Sequence, residues 1–123
     1  FCDFDGKIEM AGKVIFKNAV LAMENAANRS LEMANLTPND IDLVVPHQAN
    51  VRIVEASCKR LGIPYEKTSM VIHRTGNTSS ASIPLALEDA WSQGRVKQGD
   101  NLLLVGFGAG MTSAAAVMTW DGV

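Results

Sequence analysis

Three short segments stand out because polar or glycine residues interrupt an apolar pattern: Pro46-His47-Gln48-Ala49-Asn50, Gly76-Asn77-Thr78-Ser79-Ser80 and Gly106-Phe107-Gly108-Ala109-Gly110. The first two precede amphipathic stretches, so each falls where a strand is expected to hand over to a helix. At the carboxyl end of strands in an α/β sheet, helix N-termini direct unpaired N–H groups and a partial positive charge at an incoming ligand. An anionic or enolate-like centre suits such a place. The alternating glycines of the third segment permit close backbone approach and can free an amide to face a ligand oxygen. They are not a dinucleotide fingerprint, since Met111 stands where the last glycine is required. A plainer account also fits each segment: Asn50 and Asn77 as helix caps, His47 as a hydrogen-bonded core histidine, and the glycines as a tight turn.

The elements that must position these residues follow from periodicity. From Val14 to about Leu36, the residues Phe16, Val20, Met23, Ala27, Leu31 and Ala34 recur at steps of three and four, the stripe of a long amphipathic helix. Thr37-Pro38-Asn39-Asp40 stops it, and Ile41 to Val45 reads as a short strand closed by Pro46. Asn50 can cap a helix running to Leu61, with Gly62 and Pro64 as stop signals. A short strand from Met70 to Ile72 is expected next, then Thr78, Ser79 and Ser80 as caps of a helix to about Gln93, ended by Gly94. Pro84 either lies in the first turn of that helix or kinks a helix that began earlier. Leu102 to Met118 carries no charge, but its glycines argue against a membrane span. Leu102–Val105 and Ala114–Val117 read as two buried strands joined by a glycine turn. The resulting order, α-β-α-β-α-β-β, predicts an α/β fold with a sheet covered by helices.

The chain has 123 residues, room for one domain. With 47% hydrophobic and 20% charged residues, it falls in the globular range. A net charge of −2 excludes the broad basic field that non-specific nucleic-acid binding requires. Cys2 and Cys58 lie far apart with no ligand spacing, which gives no support to a disulfide framework or a metal site and makes a reducing, cytoplasmic setting the expectation. Nothing at the start reads as a signal peptide, and no membrane association is expected.

Taken together, PHQANVRIVEASCKRLGIP, RTGNTSSASIPLALEDA and GFGAGMTSAAAVMTW resemble the C-terminal half of β-ketoacyl-acyl-carrier-protein synthase III, a thiolase-fold condensing enzyme. The resemblance runs from about Met10 to Trp120, with the His-Gln-Ala-Asn and Gly-Asn-Thr-Ser segments in the family's order. It implies a thiolase-like half with a mixed sheet, preceded by a truncated opening loop over residues 1–12. In that family a cysteine takes an acyl group from a coenzyme A thioester. Malonyl-carrier protein is then decarboxylated, and its enolate attacks the acyl-enzyme in the chain-initiating condensation of fatty acid biosynthesis.

The family's histidine and asparagine correspond to His47 and Asn77, two neutral donors able to stabilise charge on a thioester oxygen. The resemblance also implies that the backbone amide of Ala109 holds the acyl-enzyme oxyanion, with Phe107 beside it. Gly12, Phe16, Ala49 and Asn50 match positions lining the pantetheine channel, although Phe16 serves equally well as helix core. Lys17, Arg52, Lys59 and Arg60 match basic positions that meet the acidic acyl carrier protein. No cofactor or metal is implied; coenzyme A and phosphopantetheine act as substrate carriers.

One departure matters. The family nucleophile is a cysteine of the N-terminal half, and no residue here corresponds to it. Cys58 falls on an apolar helix face and Cys2 in the opening loop, and neither has the cationic or helix-start setting that lowers a thiol pKa. The expectation is therefore a single C-terminal domain, inactive alone and competent with the N-terminal half of the same synthase, as a homodimer when full length. The alternatives are a non-catalytic, self-associating binding module and another thiolase-fold condensing enzyme with a different starter.

Overall fold

Ala19, Val20, Met23, Ala27 and Leu31 are all buried, forming the inner stripe of α1 (Gly12–Met33) in the computed structural model, which describes residues 12–122. The opening loop expected over residues 1–12 lies outside that range except for Gly12, which begins α1 rather than ending a loop. A 3-10 turn over Pro38–Asp40, closed by a capping box between Thr37 and Asp40, leads into β1 (Leu43–Pro46). Next comes α2 (Val51–Leu61), bounded as its sequence predicts. Asn50 Oδ1 accepts from the Arg52 amide at 2.8 Å, and Gly62 leaves the helix at φ +70°, where its N–H donates to the carbonyls of Cys58 and Lys59.

After a 3-10 turn at Tyr65–Lys67, residues 70–72 do not form the expected strand. The only extended pairing there is an isolated bridge of Thr68 with Val44, and Ile72–Thr75 coil into one helical turn, α3. The cause is Gln48, fully buried, whose Oε1 accepts from the amides of Val71 (2.8 Å) and Ile72 (2.9 Å) while its Nε2 donates to the Ser69 carbonyl (2.9 Å). Donors that a strand would spend on a neighbour are already used. The element order therefore has one strand fewer than α-β-α-β-α-β-β.

A 3-10 turn at Ser79–Ala81 runs into α4 (Ser82–Ser92), so none of Thr78, Ser79 or Ser80 caps that helix. Pro84 is its third residue, inside the first turn, where a missing N–H costs no intrahelical bond. The chain closes with β2 (Asn101–Gly108) and β3 (Thr112–Thr119).

The sheet order is β1-β2-β3, with β1 parallel and β3 antiparallel to β2. Alternation decides which layer each side chain enters. Val44, Leu103 and Val105 join Met23, Leu31 and Ile53 beneath α1 and α2, whereas Leu43, Val45 and Leu102 join Ala86 and Ala90 beneath α4. Burial on both faces explains why β1 and the first half of β2 are continuously apolar. β3 departs from expectation: six of its eight residues are exposed, because their lack of charge reflects small side chains at the sheet edge and not a core position. No described helix is long and apolar enough to cross a membrane.

Candidate functional site

Parallel pairing brings the ends of β1 and β2 side by side. The His47 amide extends this register beyond β1, donating to the Val105 carbonyl at 2.8 Å. At the next residue of β2 the backbone closes in on His47: a Cβ on Gly106 would stand 3.3 Å from His47 Cβ. Phe107 then meets the imidazole edge to face, with ring centroids 5.3 Å apart and planes at 65°.

Asn77 arrives by another route. α3 ends at Gly76, whose φ of +67° turns the chain back toward the sheet, and Asn77 Oδ1 accepts from the Ser79 amide at 2.9 Å. With its oxygen so engaged, the carboxamide has Nδ2 as its donor group. Ser79 itself is held at φ +54°, a left-handed conformation that a non-glycine residue adopts at a cost. An ion pair of Arg74 with Asp89, 2.5 Å, ties α3 to α4 behind this turn.

His47, Asn77, Ser79, Ile83, Phe107 and Ala109 line one cavity of about 550 Å³. Two groups read from sequence on segments thirty residues apart thus share one space. A larger groove of about 740 Å³ between α1 and β3 contains neither, and its one charged residue is Arg29. Burial lowers the His47 pKa below the ordinary histidine value, opposed in part by the Ser79 backbone, and so favours the neutral ring. Its Nδ1 stands 2.7 Å from Ser82 Oγ.

Other candidates lie elsewhere. Gly12, Phe16, Ala49 and Asn50 are not among the residues lining the cavity; Phe16 is exposed on α1, and Asn50 serves as the cap of α2. Lys17, Arg52 and Lys59 are exposed, and Arg60 pairs with Glu24 across the α1–α2 contact. Cys58 is buried and its thiol is pushed up to about 11 by desolvation, which makes it a core residue and a poor nucleophile. Among the described residues no three His, Cys, Asp or Glu side chains gather as metal ligands. Sequence reasoning missed Gln48 and Ser82 as supports of the site. A glutamine directly after the candidate histidine, at the end of an apolar strand, was a usable signal for the former; for Ser82, thirty-five residues from its partner, there was none.

The family model for the C-terminal part of 3-oxoacyl-[acyl-carrier-protein] synthase III matches residues 31–120. The chain belongs to that family. It is 52% identical over 113 residues to β-ketoacyl-[acyl-carrier-protein] synthase III of Clostridioides difficile, covering 92% of this chain and 34% of that protein. Among solved structures, synthase III of Aquifex aeolicus superposes with a TM-score of 0.94 at 44% identity, over 97% of this chain and 39% of that one. The Thermus thermophilus synthase III gives 0.89 at 51% identity, over 98% and 39%. These likenesses establish the thiolase-like synthase III fold for the chain. It spans somewhat over a third of the length of these synthase III relatives.

Proposed function

We propose that this chain supplies the enolate-stabilising half of a synthase III that joins an acyl starter from coenzyme A to malonyl-acyl-carrier protein in fatty acid biosynthesis. The observation that carries the reading is the His47 imidazole and the Asn77 carboxamide on one cavity at the ends of β1 and β2. When the malonyl thioester loses carbon dioxide, the C–C bonding electrons pass into the thioester and charge collects on its oxygen. Asn77 Nδ2–H and an N–H of His47 meet that oxygen; the enolate carbon then attacks the acyl thioester and a cysteine thiolate departs. Preorganised donors in a water-poor site act most strongly on such developing charge. The tetrahedral oxyanion of the acyl transfer is held by the Ala109 amide, with Phe107 packed beside it.

The cysteine belongs to the N-terminal half of the same synthase, which works as a cytoplasmic homodimer, and the chain by itself does not turn over. Gly12, Phe16, Ala49 and Asn50 belong to the path of the pantetheine arm, which is completed by that other half. The test supplies the synthase with an acyl-CoA and malonyl-carrier protein carrying a labelled carboxyl group. Labelled carbon dioxide and a ketoacyl thioester should form together; neither product appearing would refute the assignment.

Lys17, Arg52 and Lys59, with Arg60 beside them, form the basic face for the acidic carrier protein on two helices that pack together. Arg52, Lys59, Arg60 and Lys67 outnumber Glu55 and Glu66 along this stretch of a slightly acidic chain. Arg52→Glu should weaken carrier-protein binding most at low salt, where screening is least. Titration of the carrier protein at two ionic strengths checks this, and equal affinities of the two proteins at low salt would remove Arg52 from the docking face.

A further inference from the structure

Ser82, at the start of α4, is 1% exposed, and its hydroxyl has three neighbours. The Gln48 amide donates to Ser82 Oγ at 3.2 Å, the hydroxyl donates to the Ser79 carbonyl at 2.8 Å, and His47 Nδ1 lies 2.7 Å away. A serine hydroxyl has one proton and two lone pairs. The Gln48 amide can only donate and the Ser79 carbonyl can only accept, so the single proton goes to Ser79 and one lone pair goes to Gln48. The lone pair that remains requires a donor from His47. Placing the proton toward Nδ1 instead would leave two oxygens facing each other at 2.8 Å inside the protein, without a hydrogen between them.

We propose that Ser82 is a positioning residue that keeps the proton of neutral His47 on Nδ1, so that Nε2 faces the cavity of the free protein as a hydrogen-bond acceptor. Resting on the functional reading above, the inference makes it more specific: the Nε2–H that an enolate oxygen needs is not the resting form of the ring, and it arises when Nε2 takes up the proton that the cysteine thiol of the N-terminal half loses on acylation. Fixing a histidine tautomer through the nitrogen that does not react is an effective way of setting its chemistry.

The experiment is nitrogen NMR of the protein labelled with 15N-histidine, at pH about 8 where the ring is neutral, with the His47 signals assigned by their loss in His47→Asn. In the wild-type protein Nδ1 should carry the proton and Nε2 should not. Ser82→Ala should move the ring toward the Nε2–H form, and Ser82→Thr, which keeps the hydroxyl, should restore the wild-type pattern. A wild-type ring protonated on Nε2 overturns the proposal, as does an unchanged tautomer in Ser82→Ala. If the alanine variant does not fold, the wild-type and threonine spectra still decide. No substrate is needed, so the tautomer assignment and the condensing activity can fail independently.

Discussion

Asn77→Asp should slow release of carbon dioxide from a malonyl thioester by more than the ~10²–10³-fold expected for deleting one oxyanion donor. The substitution keeps the size of the side chain but replaces the free Nδ2–H₂ group with oxygen. A carboxylate would then face the oxygen on which charge must develop, in a cavity with an apolar wall formed by Phe107 and Ile83. Asn77→Ala removes the donor without adding charge, so the aspartate variant should be the slower of the two. Single-turnover decarboxylation of the two variants beside wild type measures both effects. A wild-type rate in Asn77→Asp would remove Asn77 from the reaction.

Gln48→Leu should cost the fold ~3–9 kcal/mol, because the amides of Val71 and Ile72 and the carbonyl of Ser69 would each lose a partner at about 1–3 kcal/mol apiece. A domain of ordinary stability holds ~5–15 kcal/mol in total, so much of its margin would disappear. The urea unfolding midpoint should fall sharply. Catalysis should fall as well, because the residues that Gln48 holds lead through α3 to Asn77, and Gln48 directly follows His47 in the chain. An unfolding midpoint equal to that of wild type would mean that water or backbone rearrangement replaces all three bonds.

Much of the architecture could be read directly. The stripe of α1 from Val20 to Leu31, the cap and stop of α2 and the closing hairpin all depend on local rules: a three-and-four spacing, an asparagine before the first turn, glycine after the last; Phe16 and Ala34, at the two ends of the expected stripe, are exposed. The expectation of a strand at residues 70–72 failed because a buried side chain twenty-odd positions earlier claims the backbone there, and no local pattern carries that information. β3 looked buried because uncharged residues usually are, but alanine and serine also suit an exposed edge. In the site, His47 and Asn77 stood out as polar interruptions of apolar runs, a pattern that a core histidine and a helix cap explain as well, and only the resemblance to synthase III paired them. The proton arrangement at Ser82 was not, since it depends on three distances set by tertiary packing.

The parallel register of β1 with β2 makes tolerance to insertions uneven along the chain. Between strands, loops can lengthen while the imidazole keeps its place. Within β1 one added residue would invert every following side chain, taking His47 away from Ser82 and Ile83 of α4 and toward the layer beneath α1 and α2. Evolutionary tinkering with the reaction is thereby channelled into the connections, while the strands act as a ruler that cannot be recut.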